Sequence, residues 1–226
     1  MKVEIVSLFP DYFESVFKQS ILRRAQETGL LDVSVYDLRR YTTDKHHQAD
    51  DYRFGGGPGM LMLAEPLFTV LSELTEKSRE RPLIIYPTPR GKPFQQRNAI
   101  ELAREPHLIF ICGHYKGIDE RVIERWVDVQ YSIGDYILTG GEPATAAIVD
   151  AVVRMIPGAL GDFDSAKGDS FFQRVLDAPH YTRPEVLDGR AVPRVLTSGH
   201  HKNIERWRLA MSKFITQRKR PELLNT

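Results

Sequence analysis

The sequence predicts an α/β fold built on a parallel sheet, because strand-like and helix-like segments alternate along most of the chain. It opens with a β-α-β pattern, which implies parallel strands joined by a right-handed crossover. Two later runs, Pro82–Tyr86 and His107–Cys112, are almost wholly apolar, as is typical of parallel strands buried on both faces. These observations together favour a sheet covered by helices.

The opening β-α-β pattern has clear boundaries. Lys2–Phe9 is predicted to be a strand, and Pro10–Asp11 begins a helix that ends at Gly29. A second alternating strand follows between Val33 and Leu38. The apolar face of the helix consists of Phe13, Val16, Phe17, Ile21 and Leu22.

Residues 39–61 form a polar segment that is too long to be a passive connection in a compact domain. Its glycine-rich stretch, Phe54–Gly59, lacks the Gly-Lys-Ser/Thr ending of a phosphate-binding P-loop. Met60 breaks the G-x-G-x-x-G spacing, which disfavours a dinucleotide dehydrogenase. We therefore expect a lid or a backbone surface for substrate. His46 and His47 lack partners at zinc-ligand spacing, and we interpret them as surface residues.

The middle of the chain continues the alternation of strands and helices. Pro87–Gly91 is predicted to be a loop that closes one apolar strand, and Val127–Ser132 an extended link. Helices are predicted over Glu65–Arg79, Phe94–Arg104, Asp119–Trp126 and Gly141–Met155.

A segment rich in Gly, Asp and Ser, Gly158–Ser170, is typical of an interdomain linker. We therefore predict an α/β domain of residues 1–160, a linker of residues 161–170 and a small helical domain of residues 171–226.

Within the C-terminal domain we predict a short helix over Phe171–Leu176 and irregular segments at 179–186 and 192–198. The last helix would begin with Ser198 as its N-cap. Its buried stripe would consist of Ile204, Trp207, Met211 and Phe214.

The composition is that of a soluble globular protein, with 42% hydrophobic and 27% charged residues among 226. The single cysteine, Cys112, rules out an internal disulfide and fits a reducing compartment. The sequence contains neither the apolar run of about 20 residues that a membrane span needs nor the apolar core of a signal peptide. We expect a cytoplasmic protein without a membrane partner.

Charge is distributed unevenly along the chain. Residues 171–226 hold 11 Lys and Arg against 5 Asp and Glu, a balance of +6, whereas residues 1–170 hold 20 against 25, a balance of −5. A basic C-terminal segment favours either a nucleic-acid partner or a solvated basic helix, and the sequence alone weighs the two equally.

Residues 112–141 contain three glycine-bearing loops, each next to an apolar segment: Cys112–Gly117, Ser132–Asp135 and Thr139–Gly141. Glycine allows a backbone to adopt positive φ or to approach a ligand closely. Open α/β sheets bind ligands beyond the carboxyl ends of their strands, where the first of these loops begins. One such loop is more often an ordinary turn, but three favour a ligand-binding crevice.

The same stretch carries a family resemblance. CGHYKGIDERV and YSIGDYILTGGE, with SLFPDYF, DDYRFGGGPGM, APHYTRPEV and KRPELL elsewhere, resemble the bacterial tRNA (guanine-N1)-methyltransferases of the TrmD family, which are SPOUT methyltransferases. The motifs extend from one end of the chain to the other. The resemblance implies an α/β domain of the SPOUT type, with a C-terminal trefoil knot, and a homodimer whose subunits share each active site and bind tRNA.

The resemblance also implies S-adenosylmethionine as the cofactor, held by three loops. The corresponding residues are Tyr86, Pro87, Thr88, Pro89, Gly113, Tyr115, Lys116, Gly117, Ser132, Ile133, Gly134, Tyr136, Ile137, Leu138, Gly140 and Gly141. Mg²⁺ is a candidate second cofactor by resemblance, although no carboxylate cluster in the sequence predicts a metal site.

The implied reaction is methyl transfer to N1 of the guanosine 3′ to the anticodon, at position 37. By resemblance Asp169 is the general base, and Arg154 stabilises negative charge on the guanine. Sequence alone would favour Asp169 as a helix N-cap and Arg154 as a partner of a helix C-terminus. Residues that correspond to RNA-contacting positions are Asp50, Gly59, Asp177 and His180.

Two other functions compete with this one. The first is a SPOUT enzyme that methylates a different base or a ribose, and the two motifs at 50–60 and 178–186 argue against it. The second is an RNA-binding module without catalysis, which the presence of both Asp169 and Arg154 disfavours.

Overall fold

A computed structural model describes residues 1–161 and 168–224. The chain divides into two compact units, Met1–Gly161 and Asp162–Thr226, which are considered separately below.

The first unit is an α/β domain. Its strands are β1 (Lys2–Ser7), β2 (Asp32–Asp37), β3 (Asp50–Tyr52), β4 (Met60–Met62), β5 (Leu83–Pro93), β6 (His107–Ile111) and β7 (Val129–Ser132). Its helices are α1 (Tyr12–Phe17), α2 (Ser20–Glu27), α3 (Ala64–Glu76), α4 (Gln96–Leu102), α5 (Glu120–Trp126) and α6 (Glu142–Val153), with a 3₁₀ turn at Leu38–Tyr41.

A five-stranded sheet in the order β2-β1-β6-β5-β7 forms the centre of this unit, and each neighbouring pair is parallel. The predicted parallel α/β fold is therefore confirmed. Every residue of β6 is buried, which explains its unbroken apolar sequence. On one side the sheet packs against Leu67, Val70 and Leu71 of α3 and Val122 of α5, while α1, α2 and α4 contact α6.

Three predictions for this unit need correction. The helix expected from residue 10 to residue 29 is two helices, because Ser20 has a φ of 49° that interrupts helical geometry. The polar segment 39–61 contains the antiparallel hairpin β3–β4. Val127–Ser132, expected to be a link, contains strand β7 at the sheet edge, where its polar residues need not be buried on both faces.

Strand β5 pairs with β7 in two stretches, which are separated by a short irregular segment. Pro87 and Lys92 both pair with Tyr131 of β7, so residues 88–91 form an excursion whose two ends are fixed. The backbone of Gly91 lies so close to β7 that a Cβ there would be 2.5 Å from the backbone nitrogen of Tyr131. The sheet edge and this loop are therefore packed backbone against backbone.

The second unit contains short elements and one long helix. The hairpin strands β8 (Val186–Leu187) and β9 (Arg190–Ala191) precede α7 (Arg194–Thr197), α8 (His201–Lys219) and a 3₁₀ turn at Pro221–Leu224. The hydroxyl of Ser212 on α8 donates to the carbonyl of Leu176, and Thr216 Oγ1 accepts from the Leu176 amide at 2.9 Å. These two hydroxyls join α8 to the segment that precedes the hairpin.

Several predictions for the second unit are wrong. Residues 171–176 form turns, because Phe171 and Arg174 have φ angles of 73° and 59°. Segment 192–198, expected to be irregular, contains α7, whereas segment 179–186 is irregular as predicted up to Val186, where β8 begins. Ser198 does not cap α8, which begins at His201; its hydroxyl donates to the Val195 carbonyl instead.

The stripe predicted for the last helix is correct in part, since Ile204, Trp207 and Met211 are partly buried. Phe214 is 55% exposed, whereas Ser212 and Thr216 are buried. The buried face of α8 therefore uses hydroxyl side chains that bond to backbone, which an apolar pattern does not reveal. In the part of the chain that the structure describes, no helix combines the length and the apolar character needed to cross a membrane.

A buried carboxylate, Glu4, lies within the sheet. Oε1 accepts from the Tyr36 hydroxyl at 2.6 Å, and Oε2 lies 2.7 Å from His107 Nε2. Burial raises the pKa of Glu4, but the hydrogen bonds from Tyr36, Lys2 and His107 outweigh it, so the pKa lies below its usual 4.5. The ionised form of Glu4 thus stabilises the folded state.

The substitution Glu4→Gln is expected to lower the free energy of unfolding by about 1–3 kcal/mol at neutral pH. Because the folded-state pKa is lowered, this stabilisation is present above pH 4.5 and is lost as the pH falls through the folded-state value. Urea unfolding at neutral and acidic pH measures the free energy of unfolding of the unmodified protein and of Glu4→Gln. The difference between the two values should become smaller as the pH is lowered. Glu14→Gln, in an exposed pair with Lys18, is the control; equal effects would contradict the assignment.

Candidate active site

A pocket lies in the first unit, between the excursion of β5 and the carboxyl end of β7. It contains about 440 Å³ of empty space, part of it open to solvent. Its lining residues are Pro87, Thr88, Pro89, Tyr131, Ser132, Ile133, Gly134, Tyr136, Leu138, Gly140, Gly141 and Ala144. The pocket is thus where parallel α/β sheets bind ligands.

Most residues predicted to bind the cofactor line this pocket. They come from the excursion of β5, from the loop after β7 and from the turn that leads into α6. Tyr131 and Ala144 line it too, and sequence analysis missed both. Tyr131 is a strand residue and Ala144 a helix residue, so neither carries the glycine signal that marked the loops.

The loop after β6 lies beside this pocket without lining it. Gly113 packs against Tyr86, since a Cβ there would be 2.8 Å from the Tyr86 hydroxyl oxygen. Burial raises the pKa of Tyr86 and so keeps the hydroxyl protonated. Tyr86, Gly113, Tyr115, Lys116 and Gly117 therefore form a layer next to the pocket. Ile137 also lies outside the lining and is 81% exposed.

Backbone hydrogen bonds join the β3–β4 hairpin to the loop after β6. The amide of Lys116 donates to the carbonyl of Met60 at 3.0 Å, and the amide of Met62 donates to Gly117 at 3.1 Å. The Lys116 side chain packs over Gly59, where a Cβ would be 2.7 Å from its Cγ. Residues predicted to bind cofactor thus contact a residue predicted to contact RNA.

Asp50 and Tyr115 make a second contact between these two sets. Burial raises the pKa of Tyr115, and the charge and hydrogen bond of Asp50 add to the effect. Tyr115 has a φ of 59°, an uncommon conformation for a residue other than glycine. Strained residues of this kind cluster at functional sites.

Known proteins are similar to this chain over nearly its whole length. The family model for tRNA (Guanine-1)-methyltransferase TrmD matches residues 1–226. The chain is 49% identical over 224 residues to proteins described as tRNA (guanine-N(1)-)-methyltransferase from Bacillus cereus (strain AH820), Bacillus anthracis (strain A0248) and Bacillus thuringiensis subsp. konkukian (strain 97-27). Each alignment covers 99% of this chain and 92% of the relative.

This chain belongs to the TrmD family. Membership confirms the resemblance noted in the sequence motifs. The protein is accordingly a tRNA (guanine-N1)-methyltransferase, an enzyme that methylates tRNA.

The residues that the TrmD resemblance implies for catalysis lie in different units. Arg154 follows the last residue of α6 in the first unit and is partly exposed. Asp169 is an exposed residue of the second unit, and its carbonyl accepts from the Phe172 amide at 3.4 Å.

Two predicted RNA-contacting residues meet within the second unit. His180 Nε2 lies 2.7 Å from Asp177 Oδ2, and the His180 side chain is 72% exposed. Asp177 also accepts from the Ala178 amide through Oδ1, so its carboxylate is held in one orientation. The imidazole of His180 is therefore exposed to solvent, and the carboxylate of Asp177 beside it has a fixed orientation.

Metal ligation finds little support in the TrmD chain. Within residues 1–161 and 168–224, no group of three or more His, Cys, Asp or Glu side chains is placed to hold a metal ion. Mg²⁺ is often held by one or two carboxylates together with phosphate groups of the substrate, so the ion stays a prediction by resemblance.

Proposed function

We propose that the protein transfers the methyl group of S-adenosylmethionine to N1 of the guanosine at tRNA position 37. The single observation that carries this proposal is the pocket between the excursion of β5 and the carboxyl end of β7, which belongs to a chain of the TrmD family. Asp169 acts as the general base and Arg154 stabilises charge on the guanine.

The pocket residues fit an adenosyl cofactor. Ile133, Leu138 and Ala144 offer apolar surface for a purine ring, and the hydroxyls of Thr88 and Ser132 offer polar partners. Gly140 and Gly141 add backbone that carries no side chain, so a ligand can approach it closely.

When bound, S-adenosylmethionine supplies an electrophilic methyl group on a sulfonium centre. N1 of guanine carries a proton at neutral pH, so a base must accept that proton as the new N–C bond forms. The exposed Asp169 carboxylate is such a base. The guanidinium of Arg154 can donate to guanine O6, where negative charge develops.

The finer features of the family also belong to this proposal. A trefoil knot is supported by the chain after β7, which turns back so that Gly140 forms a bridge with His114 in the loop after β6. A homodimer is supported by the exposed apolar side chains of Tyr136, Ile137 and Leu138 beside the pocket. A second copy of the chain would cover them.

We assign tRNA binding to the second unit. Lys202, Arg206 and Lys213 are exposed on α8 at helical spacing, so their ammonium and guanidinium groups share one face. Such a row of cations suits a phosphate backbone. A tRNA substrate implies that the enzyme works in the cytoplasm. No step of the reaction is assigned to Mg²⁺.

Methyl transfer from labelled S-adenosylmethionine to two tRNA transcripts tests the proposal. One transcript carries guanosine at position 37, and the matched control carries adenosine there. We expect label to appear with guanosine alone. Label on both transcripts would contradict the assigned position, and label on neither, with cofactor binding verified separately, would contradict the assigned substrate.

A further inference from the structure

A buried pair of side chains, His114 and Glu142, joins two loops at the proposed cofactor site. His114 follows β6, and Glu142 is the first residue of α6. His114 Nε2 lies 2.8 Å from Glu142 Oε2, and the two side chains are only 15% and 4% exposed. Because a carboxylate oxygen can only accept, His114 donates through Nε2.

The other oxygen of this carboxylate is also bonded. The hydroxyl of Ser7, the last residue of β1, donates to Glu142 Oε1 at 2.6 Å. The amino end of α6 favours a negative charge at this position. The Phe9 ring packs on the imidazole, with 4.8 Å between ring centroids. Glu142 therefore joins the ends of β1 and β6 to the start of α6.

The pair lies directly behind a glycine that lines the pocket. Gly140 forms a β-bridge with His114, and the amide of Gly141 donates to the carbonyl of Gly113 at 2.8 Å. A Cβ at Gly140 would be 2.2 Å from His114 Nε2 and 2.4 Å from Glu142 Oε2. The position of this part of the pocket wall therefore depends on the pair.

We propose that His114 and Glu142 are positioning residues that hold the Gly113 and Gly140 loops at the separation needed for tight cofactor binding. This inference rests on the proposed cofactor site. Neither side chain lines the pocket, so the pair acts through Gly140 and Gly141. Its loss should weaken the binding of S-adenosylmethionine more than it slows methyl transfer at saturation.

The test measures the dissociation constant of S-adenosylmethionine by calorimetry, together with KM and kcat. His114→Leu leaves Glu142 Oε2 buried without its donor, and we expect the dissociation constant to rise about 10-fold to 100-fold. Ser7→Ala removes the other donor and should raise it about 3-fold to 10-fold. His114→Gln keeps an N–H of similar reach and should restore binding to near the unmodified level. In each variant kcat at saturation should change less than KM.

The Glu4–His107 pair provides a matched control in the same sheet. It is also a buried carboxylate–imidazole pair, at 2.7 Å, but His107 begins β6, at the end of the strand remote from His114. His107→Leu should lower the melting temperature and leave the dissociation constant unchanged.

Unchanged cofactor binding in both His114→Leu and Ser7→Ala would overturn the inference. Should His114→Leu fail to fold, unchanged cofactor binding in Ser7→Ala alone would overturn the inference. An equal loss of binding in His107→Leu would also overturn it, because the effect would then follow stability alone. Absence of cofactor binding in the unmodified protein would instead refute the proposed function.

Discussion

Replacement of Asp169 by alanine is expected to abolish methyl transfer to tRNA while cofactor binding is retained. Without a base, the N1 proton of guanine stays in place and the nitrogen lone pair is not available to the methyl group. General-base catalysis contributes about 10²-fold to 10⁴-fold, so the rate should fall by at least that factor. Single-turnover kinetics with saturating cofactor would measure it, because that assay isolates the chemical step.

An isosteric pair of variants sharpens this experiment. Asp169→Asn removes basicity without removing volume and should behave like the alanine variant. Asp188→Asn is the matched control, an exposed aspartate in the β8–β9 turn of the same unit. Asp188 has a φ of 51°, which asparagine tolerates. The control substitution should therefore leave the rate of methyl transfer unchanged. Loss of cofactor binding in the Asp169 variants would mean that the residue is not the base.

Gly91→Ala is expected to have the largest effect on stability of any substitution considered. The added Cβ would lie 2.5 Å from the backbone N and C atoms of Tyr131 and 2.6 Å from the carbonyl carbon of Gln130. Backbone atoms cannot rotate away, so β5 and β7 must separate. We expect a loss of about 3 kcal/mol or more, the upper end for overpacking. Cofactor binding should fall as well, because both strands line the pocket.

Chemical unfolding of Gly91→Ala and Gly161→Ala would measure this effect. A Cβ at Gly161 meets nothing within 4 Å, and neither glycine has a left-handed φ, so the two substitutions differ only in local space. Gly161→Ala should leave the denaturant concentration at the midpoint of unfolding essentially unchanged. Equal midpoints for the two variants would refute the close packing of the excursion against β7.

The sequence predicted those parts of the fold in which local pattern and tertiary environment coincide. β6 is apolar throughout because both faces of the sheet are covered, and that pattern is visible without a structure. Gly134 and Gly140, singled out in the sequence because glycine allows close approach of a ligand, line the pocket, whereas the Gly113 loop lies beside it. β7 was missed since an edge strand carries polar residues and resembles a linker.

Other features could not be predicted because they depend on residues far apart in the chain. Ser7 and Glu142 are separated by 135 positions, and only the sheet order brings them together. Phe214 was placed in a buried stripe because it is apolar, yet Thr216 is buried instead, since its hydroxyl bonds to Leu176. Hydrogen bonds to distant backbone override the apolar pattern at such positions.

The reactivity of Cys112 can be used to measure local opening of the protein. It is the single thiol of the chain, fully buried next to Thr145, with its Sγ 3.3 Å from that hydroxyl. Burial raises the pKa of the thiol, and the nearby charge of Glu142 raises it further, so the closed protein resists alkylation. A thiol reagent can therefore react only after local or global unfolding exposes Sγ. The alkylation rate then measures how often the region around Cys112 opens, without any label being introduced into the protein.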